Sequence, residues 1–426
     1  MMRSLARIAL LVVALLAAAA AIVGWLNVRG EAPVAADAKP PAPAGDATVA
    51  RGAYLARAGN CIGCHTARGG ADYAGGRPIH TPFGIVYASN LTPDPQTGLG
   101  DWSADAFWRA MHNGRSKDGR LLYPAFPYPN FTLVTRADSD AILAFLRTLP
   151  PVRAPNREHA LRFPYNLQPA LAAWRALYFR PERFEPDPAR SAQWNRGSYL
   201  VRGLGHCDAC HSPRNWLGAT QDSAAFGGAP LPMQPWHAPS LASGAEAAVA
   251  DWPIDDVVSL LKTGISARGS TLGPMAEVVF RSTQYLERDD LRAIAVFLQA
   301  LPPAPAAPTP RAPAPKAGDA LLRQGAAIYA EHCAECHGEH GEGVASIYPP
   351  IAGNRSVTLA TPINLVNVIL RGGFPPATAG NPRPFGMPPF AHSLTNEEIA
   401  AVATYVRQSW GHAASPVTPV EVFRLR

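Results

Sequence analysis

Apolar residues fall into two kinds of pattern along the chain. The first is a single run: from Ile8 to Leu26, 19 uncharged and mostly apolar residues follow Arg3 and Arg7. A helix of that length spans a hydrocarbon core. Cationic residues on its short leading side favour an amino terminus inside, everything after Leu26 outside, and Trp25 near the far interface. A cleaved signal peptide is the alternative, because Ala17–Ala21 offers small residues to a protease; either way the remainder is exported. The second pattern recurs three times at the spacing i, i+3, i+4, i+7: Ile142, Phe145, Leu146, Leu149; then Leu291, Ile294, Ala295, Leu298; then Ile399, Val402, Ala403, Val406. Each set predicts one buried stripe of an α-helix. The third helix is predicted to start at Thr395, where Thr395 and Glu398 form a capping box that satisfies two free backbone donors. Within Pro169–Phe184 a further helix is expected, with Leu167, Leu171, Trp174 and Tyr178 on one face. It could dock on a partner, lie at the membrane interface, or simply pack between neighbouring units. No alternating pattern of useful length predicts strands.

Each closing stripe ends a unit of roughly 100 residues with the same order of parts, the mark of an internal repeat. A helix-like lead-in comes first: RGAYLARAGN before Cys61, RGSYLVRGLGH before Cys207 and RQGAAIYAEH before Cys333. A Pro/Gly-rich middle follows, and then the closing helix. The predicted division is residues 1–30, anchor or signal; 31–48, Ala/Pro tether; 49–152, first unit; 153–190, connector with the amphipathic helix; 191–301, second unit; 302–318, Pro/Ala linker; 319–412, third unit; 413–426, tail. The fold class is therefore all-α, with three tandem units after the N-terminal segment. Over 426 residues the chain is 47% apolar and 16% charged, which fits folded protein. Its net charge of +6 is spread without a basic run and supports neither nucleic-acid binding nor a polybasic membrane patch. Small loop-rich units in a chain with 44 prolines bury little core, so something large and apolar is expected to fill each centre.

The cysteines say what that is. All 6 lie in three copies of Cys-x-x-Cys-His: Cys61, Cys64 and His65; Cys207, Cys210 and His211; Cys333, Cys336 and His337. This is the attachment sequence of c-type haem, in which the thiols add to the porphyrin vinyl groups and the next residue brings its imidazole to the iron. A structural zinc site wants a fourth ligand that no cluster supplies in a regular position, and a thioredoxin-like pair wants a βαβ setting that is missing. Three covalently bound haems, with iron, are therefore expected. A methionine opposite the histidine raises the iron potential. The slot between a helix-ending glycine and the closing helix presents Met387, 50 residues after His337, and Met275, 64 residues after His211. Both are expected on loops, as sixth ligands. In the first unit the slot holds Phe126, 61 residues after His65, which cannot ligate iron. Nearby, Met111 aligns with a core helix position and His112 with an exposed one; His112 reaches the iron only after a local shift. The first haem is expected to be five-coordinate or unusually ligated. To fix the imidazole tautomer each histidine needs a backbone carbonyl, and the segments around Pro239 and Pro350 are the candidates. His80, His159 and His237 have no regular partners, and no catalytic constellation appears.

Several runs carry a resemblance: ASNLTPDPQTGLGDWSADAFWRAM, SKDGRLLYPAFPYPNF, RGSYLVRGLGHCDACHSPRN and GGFPPATAGNPRPFGMPPF, together with the three Cys-x-x-Cys-His sites. With these the chain resembles the cytochrome c subunit of bacterial membrane-bound alcohol, aldehyde and gluconate dehydrogenases, over nearly all of its length after the tether. The resemblance implies three class I cytochrome c-like domains. It also implies a periplasmic electron relay on the bacterial inner membrane. The relay would take electrons from a separate catalytic subunit, a quinoprotein, flavoprotein or molybdoprotein, and pass them to ubiquinone or a terminal oxidase. Related sequences read AMPY where this one has Ala125-Phe126-Pro127-Tyr128, so only the sixth ligand of the first haem departs from the pattern. A rival reading makes the protein a haem enzyme, a peroxidase or small-oxyanion reductase working at the open first haem.

Overall fold

A computed structural model describes residues 2–35, 38–303 and 315–426. Two tether residues and positions 304–314 of the predicted Pro/Ala linker lie outside the described residues. The chain divides into two units, Met1–Leu55 with Cys64–Glu185, and Ala56–Gly63 with Pro186–Arg426.

In the first unit α1 (Met2–Val28) is one unbroken helix whose apolar side chains are exposed along its length. Its end is clamped by polar groups. Arg115 donates to the Asn27 carbonyl at 2.9 Å and to the Glu31 carboxylate at 2.9 Å. α2 (Asp46–Ala58) and α3 (Cys61–His65), of which residues Ala56–Gly63 group with the second unit, follow, then α4 (Ala104–Asn113), α5 (Tyr128–Phe131), α6 (Arg136–Leu146) and α7 (Gln168–Tyr178). α4 is bounded by a Ser103 hydroxyl that accepts from the Ala106 amide and by Gly114 at φ +60°. A side chain at Gly114 would run into the Tyr128 ring. Strands that the sequence did not announce are present. β1 (Pro78–Thr81) and β2 (Gly84–Tyr87) form an antiparallel hairpin, and β3 (Ala160–Leu161) adds to β2. Four residues with only part of one face buried carry too little alternation to be read.

The second unit begins with α8 (Ala192–Ser198), which runs on through a π-helical stretch, Tyr199–Leu204. Then come α9 (Asp208–His211), α10 (Ile254–Thr263), α11 (Gly273–Arg281) and α12 (Arg288–Gln299), followed by α13 (Asp319–His332), α14 (Ala334–His337), α15 (Ile363–Arg371), α16 (Asn396–Gln408) and α17 (Pro419–Phe423). Short two-residue strand pairs, Ala229–Pro230 with His237–Ala238 and Ile265–Ser266 with Gly269–Ser270, brace the loops.

One packing device occurs three times. Each lead-in helix crosses its closing helix at a glycine: Gly52 against Ala141, Gly197 against Ala293, Gly325 against Ala401. A Cβ at any of the three would come under 3.0 Å from the facing carbonyl oxygen, so only glycine allows the backbones so close. An aromatic residue four positions beyond the alanine, Phe145, Phe297 or Tyr405, covers the crossing. The predicted stripes are the buried faces: Leu291, Ile294, Ala295 and Leu298 on α12, and Ile399, Val402, Ala403 and Val406 on α16. The first stripe is shorter than expected, because α6 stops at Leu146 and Leu149 lies beyond it. Leu149 precedes Pro150, whose ring disfavours a helical conformation for the residue before it.

The capping box at α16 is formed as predicted: Glu398 N–H donates to the Thr395 hydroxyl at 3.2 Å and Thr395 N–H to the Glu398 carboxylate at 2.8 Å. Thr395→Ala is expected to destabilise the protein by about 1 kcal/mol, read as a lower denaturant midpoint at unchanged slope.

Candidate haem sites

All three Cys-x-x-Cys-His sequences occupy the same station, one helical turn immediately after a lead-in helix: within α3, at Cys207 and α9, and at Cys333 and α14. In such a turn residues i and i+3 share a face, so both thiols of a pair point to one side, with the histidine next in line. None of the six cysteines is in a disulfide. Burial pushes the Cys207 thiol up to about 12 and the Cys333 thiol to about 11.

The histidine environments repeat more closely than the sequence does. His65 Nδ1 lies 2.6 Å from the Ser89 carbonyl oxygen, His211 Nδ1 2.7 Å from that of Pro239, and His337 Nδ1 3.0 Å from that of Pro349. A carbonyl oxygen only accepts, so Nδ1 carries the proton in every ring and Nε2 keeps the lone pair. Burial also lowers the pKa of all three histidines. Burial thus favours the neutral imidazole, and the carbonyl bond leaves Nδ1 tethered and Nε2 available to a metal.

A second backbone bond holds each histidine from the other side. Gly75, Gly228 and Gly343 donate their N–H to the carbonyls of His65, His211 and His337 at 2.8, 2.7 and 2.8 Å. All three glycines are left-handed, at φ +77°, +79° and +67°, and each packs directly on the segment whose carbonyl receives the imidazole proton. In the second site Glu246 braces that segment by accepting from the Ser240 amide at 2.6 Å. His237, expected to be without a partner, faces the same carboxylate at 3.3 Å.

The carbonyl segments around Pro239 and Pro350 are predicted from the sequence; Ser89, where no proline marks the loop, and all three glycines are not. The glycines lie 10, 17 and 6 residues after their histidines, so no constant spacing pointed to them.

The methionines divide. Met387 is in extended backbone, paired with Gly373 through bonds of 2.8 and 3.0 Å, and borders the apolar cluster of the third lead-in and closing helices, as Cys333 does. Met275 is not on a loop; it sits half-buried in the first turn of α11. Gly273-Pro274 reads as a turn, yet proline is favoured at the first positions of a helix, where its missing N–H costs nothing. In the first unit Phe126 is half-buried with its ring 5.4 Å from Phe131. Met111 is a core residue as expected, at 5% exposure, but His112 is not exposed. It is 6% exposed, stacked on Trp108 one turn earlier with ring centres 4.5 Å apart.

Paired thiols on one face of a helical turn, followed by a neutral, carbonyl-tethered imidazole, fit covalent haem and define a c-type cytochrome. The sequence model of the Cytochrome c family matches residues 49–150 and 322–410. The chain is 38% identical over 397 residues to the cytochrome c subunit of the quinone alcohol dehydrogenase of Gluconacetobacter polyoxogenes, covering 90% of this chain and 85% of that protein. It is 36% identical to the gluconate 2-dehydrogenase cytochrome c subunit of Pantoea cypripedii, covering 90% of each. To the fructose dehydrogenase cytochrome subunit of Gluconobacter japonicus it is 33% identical, over 91% of this chain and 84% of that one. The chain belongs to this family of cytochrome c subunits.

Proposed function

We propose that the chain carries three c-type haems in three tandem cytochrome c domains, residues 49–152, 191–301 and 319–412, and serves as the electron-transfer subunit of a membrane-bound dehydrogenase complex. The observation that carries this reading is the threefold recurrence of one site: a Cys-x-x-Cys-His turn, an Nδ1-to-carbonyl bond and a left-handed glycine under the histidine carbonyl. It is present around Cys207, between the two regions matched by the family model, as well as within them. The three glycine crossings support the same count.

When bound, the haem supplies one-electron iron chemistry. The chain contributes the rest. Cys61 and Cys64, Cys207 and Cys210, and Cys333 and Cys336 fix the group, while His65, His211 and His337 present Nε2 to the metal. The carbonyls of Ser89, Pro239 and Pro349 make those imidazoles more basic. Met275 and Met387 complete the second and third sites with thioethers that favour the reduced metal, and the first site, with Phe126 in that slot, has no thioether. α1 stays in the membrane and holds these domains on the periplasmic side. There they accept electrons from a separate catalytic subunit, oxidising an alcohol, aldehyde or sugar acid with a quinone, flavin or molybdenum cofactor, and deliver them to ubiquinone or a terminal oxidase. The three relatives compared above are cytochrome subunits and lend no support to a haem enzyme in its own right.

The test is purification from solubilised membranes. Three haems per chain by mass and by pyridine haemochrome absorbance are expected, together with a second, catalytic polypeptide and substrate-dependent reduction of the haems. A colourless chain would overturn the haem reading; a coloured chain recovered alone from the soluble fraction would overturn the subunit reading.

A further inference from the structure

Helix α7 is built inside out. Of the eleven residues in Gln168–Tyr178, only Gln168 and Arg175 have strongly polar side chains; Arg175 is buried, and Gln168, exposed at the start of the helix, has its amide bonded to the protein backbone. The Gln168 amide makes two bonds to the backbone of Leu121, at 2.8 and 3.2 Å. Arg175 is 2% exposed and donates to the Asn27 side chain at 2.9 Å and to the carbonyls of Gly114, at 3.0 Å, and Asn113. What α7 turns outward is apolar: Leu177 is 70% exposed and Tyr178 38%, with Leu167 at 42% and Phe163 at 79% just before the helix. A surface helix in water shows the reverse arrangement. In lipid it is the expected one, because polar side chains must find partners inside the protein.

The position of α7 supplies the second observation. Asn27, in the last turn of the membrane-spanning candidate α1, donates to the Ala172 carbonyl in the middle of α7 at 2.9 Å and accepts from Arg175. Two residues before it, Trp25 is exposed. The apolar surface of α1 therefore continues onto α7 at the level where α1 leaves the hydrocarbon, and an exposed arginine, Arg180, follows at the far end of α7.

We infer that α7, with Phe163 and Leu167, lies in the outer leaflet of the bilayer at the boundary between headgroups and acyl chains, as a second lipid contact beside α1. A single spanning helix leaves its head free to tilt. Two contacts joined through the buried Asn27–Arg175 pair fix the height of the first unit above the membrane. The inference rests on the reading that α1 remains in the bilayer.

The test uses the complex as purified, reinserted into liposomes of phosphatidylcholine in which a fraction of the lipid carries a diazirine in the acyl chain. After photolysis, peptides are mapped by mass spectrometry. Adducts are expected on residues 163–178 as well as on α1, at least tenfold above the level at Trp216 and Phe374, which are 82% and 66% exposed on the second unit. The double substitution Trp174→Glu, Leu177→Glu is expected to lower the labelling of 163–178 about tenfold while the haem absorbance stays unchanged. Adducts on α1 with residues 163–178 at the Trp216 level would overturn the inference alone and show this face covered by the catalytic subunit or by water. Adducts on neither segment would overturn it together with the membrane reading.

Discussion

Replacing Cys333 and Cys336 together with alanine is expected to leave the chain one haem short, with its mass lower by one haem and the absorbance of the reduced protein lower by about a third. On the proposed reading the two thiols would be the covalent tethers of the third site, so that without them no thioether could form. Substituting Met387→Ala gives a different result. Attachment survives, since Met387 is not a tether, but one midpoint potential is expected to fall by on the order of 100 mV, a modest part of the roughly 0.8 V that axial ligands span. Met275→Ala is expected to act alike on a second centre. Phe126→Met is expected to raise the potential of the first, because it returns a thioether to the slot that phenylalanine occupies. A redox titration followed in the visible region separates these outcomes. Unchanged potentials in both methionine variants would remove Met275 and Met387 from the ligand set while leaving the cysteine result standing.

Gly228→Val is expected to be the most damaging single substitution at the second site. Two penalties coincide there. A β-branched residue at φ +79° is strained by about 1–2 kcal/mol, and its Cβ would lie under 3.0 Å from the backbone nitrogen of Ser240. The clash pushes away the segment that carries the Pro239 carbonyl and so frees His211 Nδ1. Moving packed backbone adds on the order of 1–3 kcal/mol. The expected outcome is a loss of several kcal/mol in unfolding experiments, with a weakened or shifted absorption band from one haem. Gly244→Ala is the matched control, because a side chain at Gly244 meets nothing within 4 Å; it is expected to leave both stability and spectrum unchanged.

Much of this site was legible in the sequence because covalent chemistry demands fixed spacing. A thiol pair three residues apart with histidine next cannot be displaced by an insertion without losing the group, so the three copies stand out. The closing helices were legible for a similar reason: their buried stripes return at 3.6 residues per turn. The cradle around each histidine was not. Its carbonyls lie 24, 28 and 12 residues beyond the histidines, since a loop of any length can bring a carbonyl to one point. For Met275 the spacing predicts a loop where the structure has the first turn of α11, because Gly-Pro begins a helix as readily as it makes a turn. The repeat sets His112 opposite Lys262 and Arg371 of the other two units and so predicts an exposed residue, but the neighbouring turn supplies Trp108 to cover it, and no alignment of spacing registers that.

By itself the sequence determined the chemistry: the cofactor class, the attachment points and proximal ligands proposed for it, the helical character of the units and an apolar segment able to cross a bilayer. These follow from local rules of bonding and periodicity, which act over a few residues. The tertiary structure decided which polar groups meet. Only the folded chain shows that Arg175 is buried against Asn27 and the α4 terminus, that Arg407 is buried with bonds of 2.9 and 2.7 Å to the Ser415 and Val357 carbonyls, and that three left-handed glycines sit under three histidines. Such pairings join residues up to 148 positions apart. Their partners are set by where the backbone passes, and no periodicity in the chain encodes them.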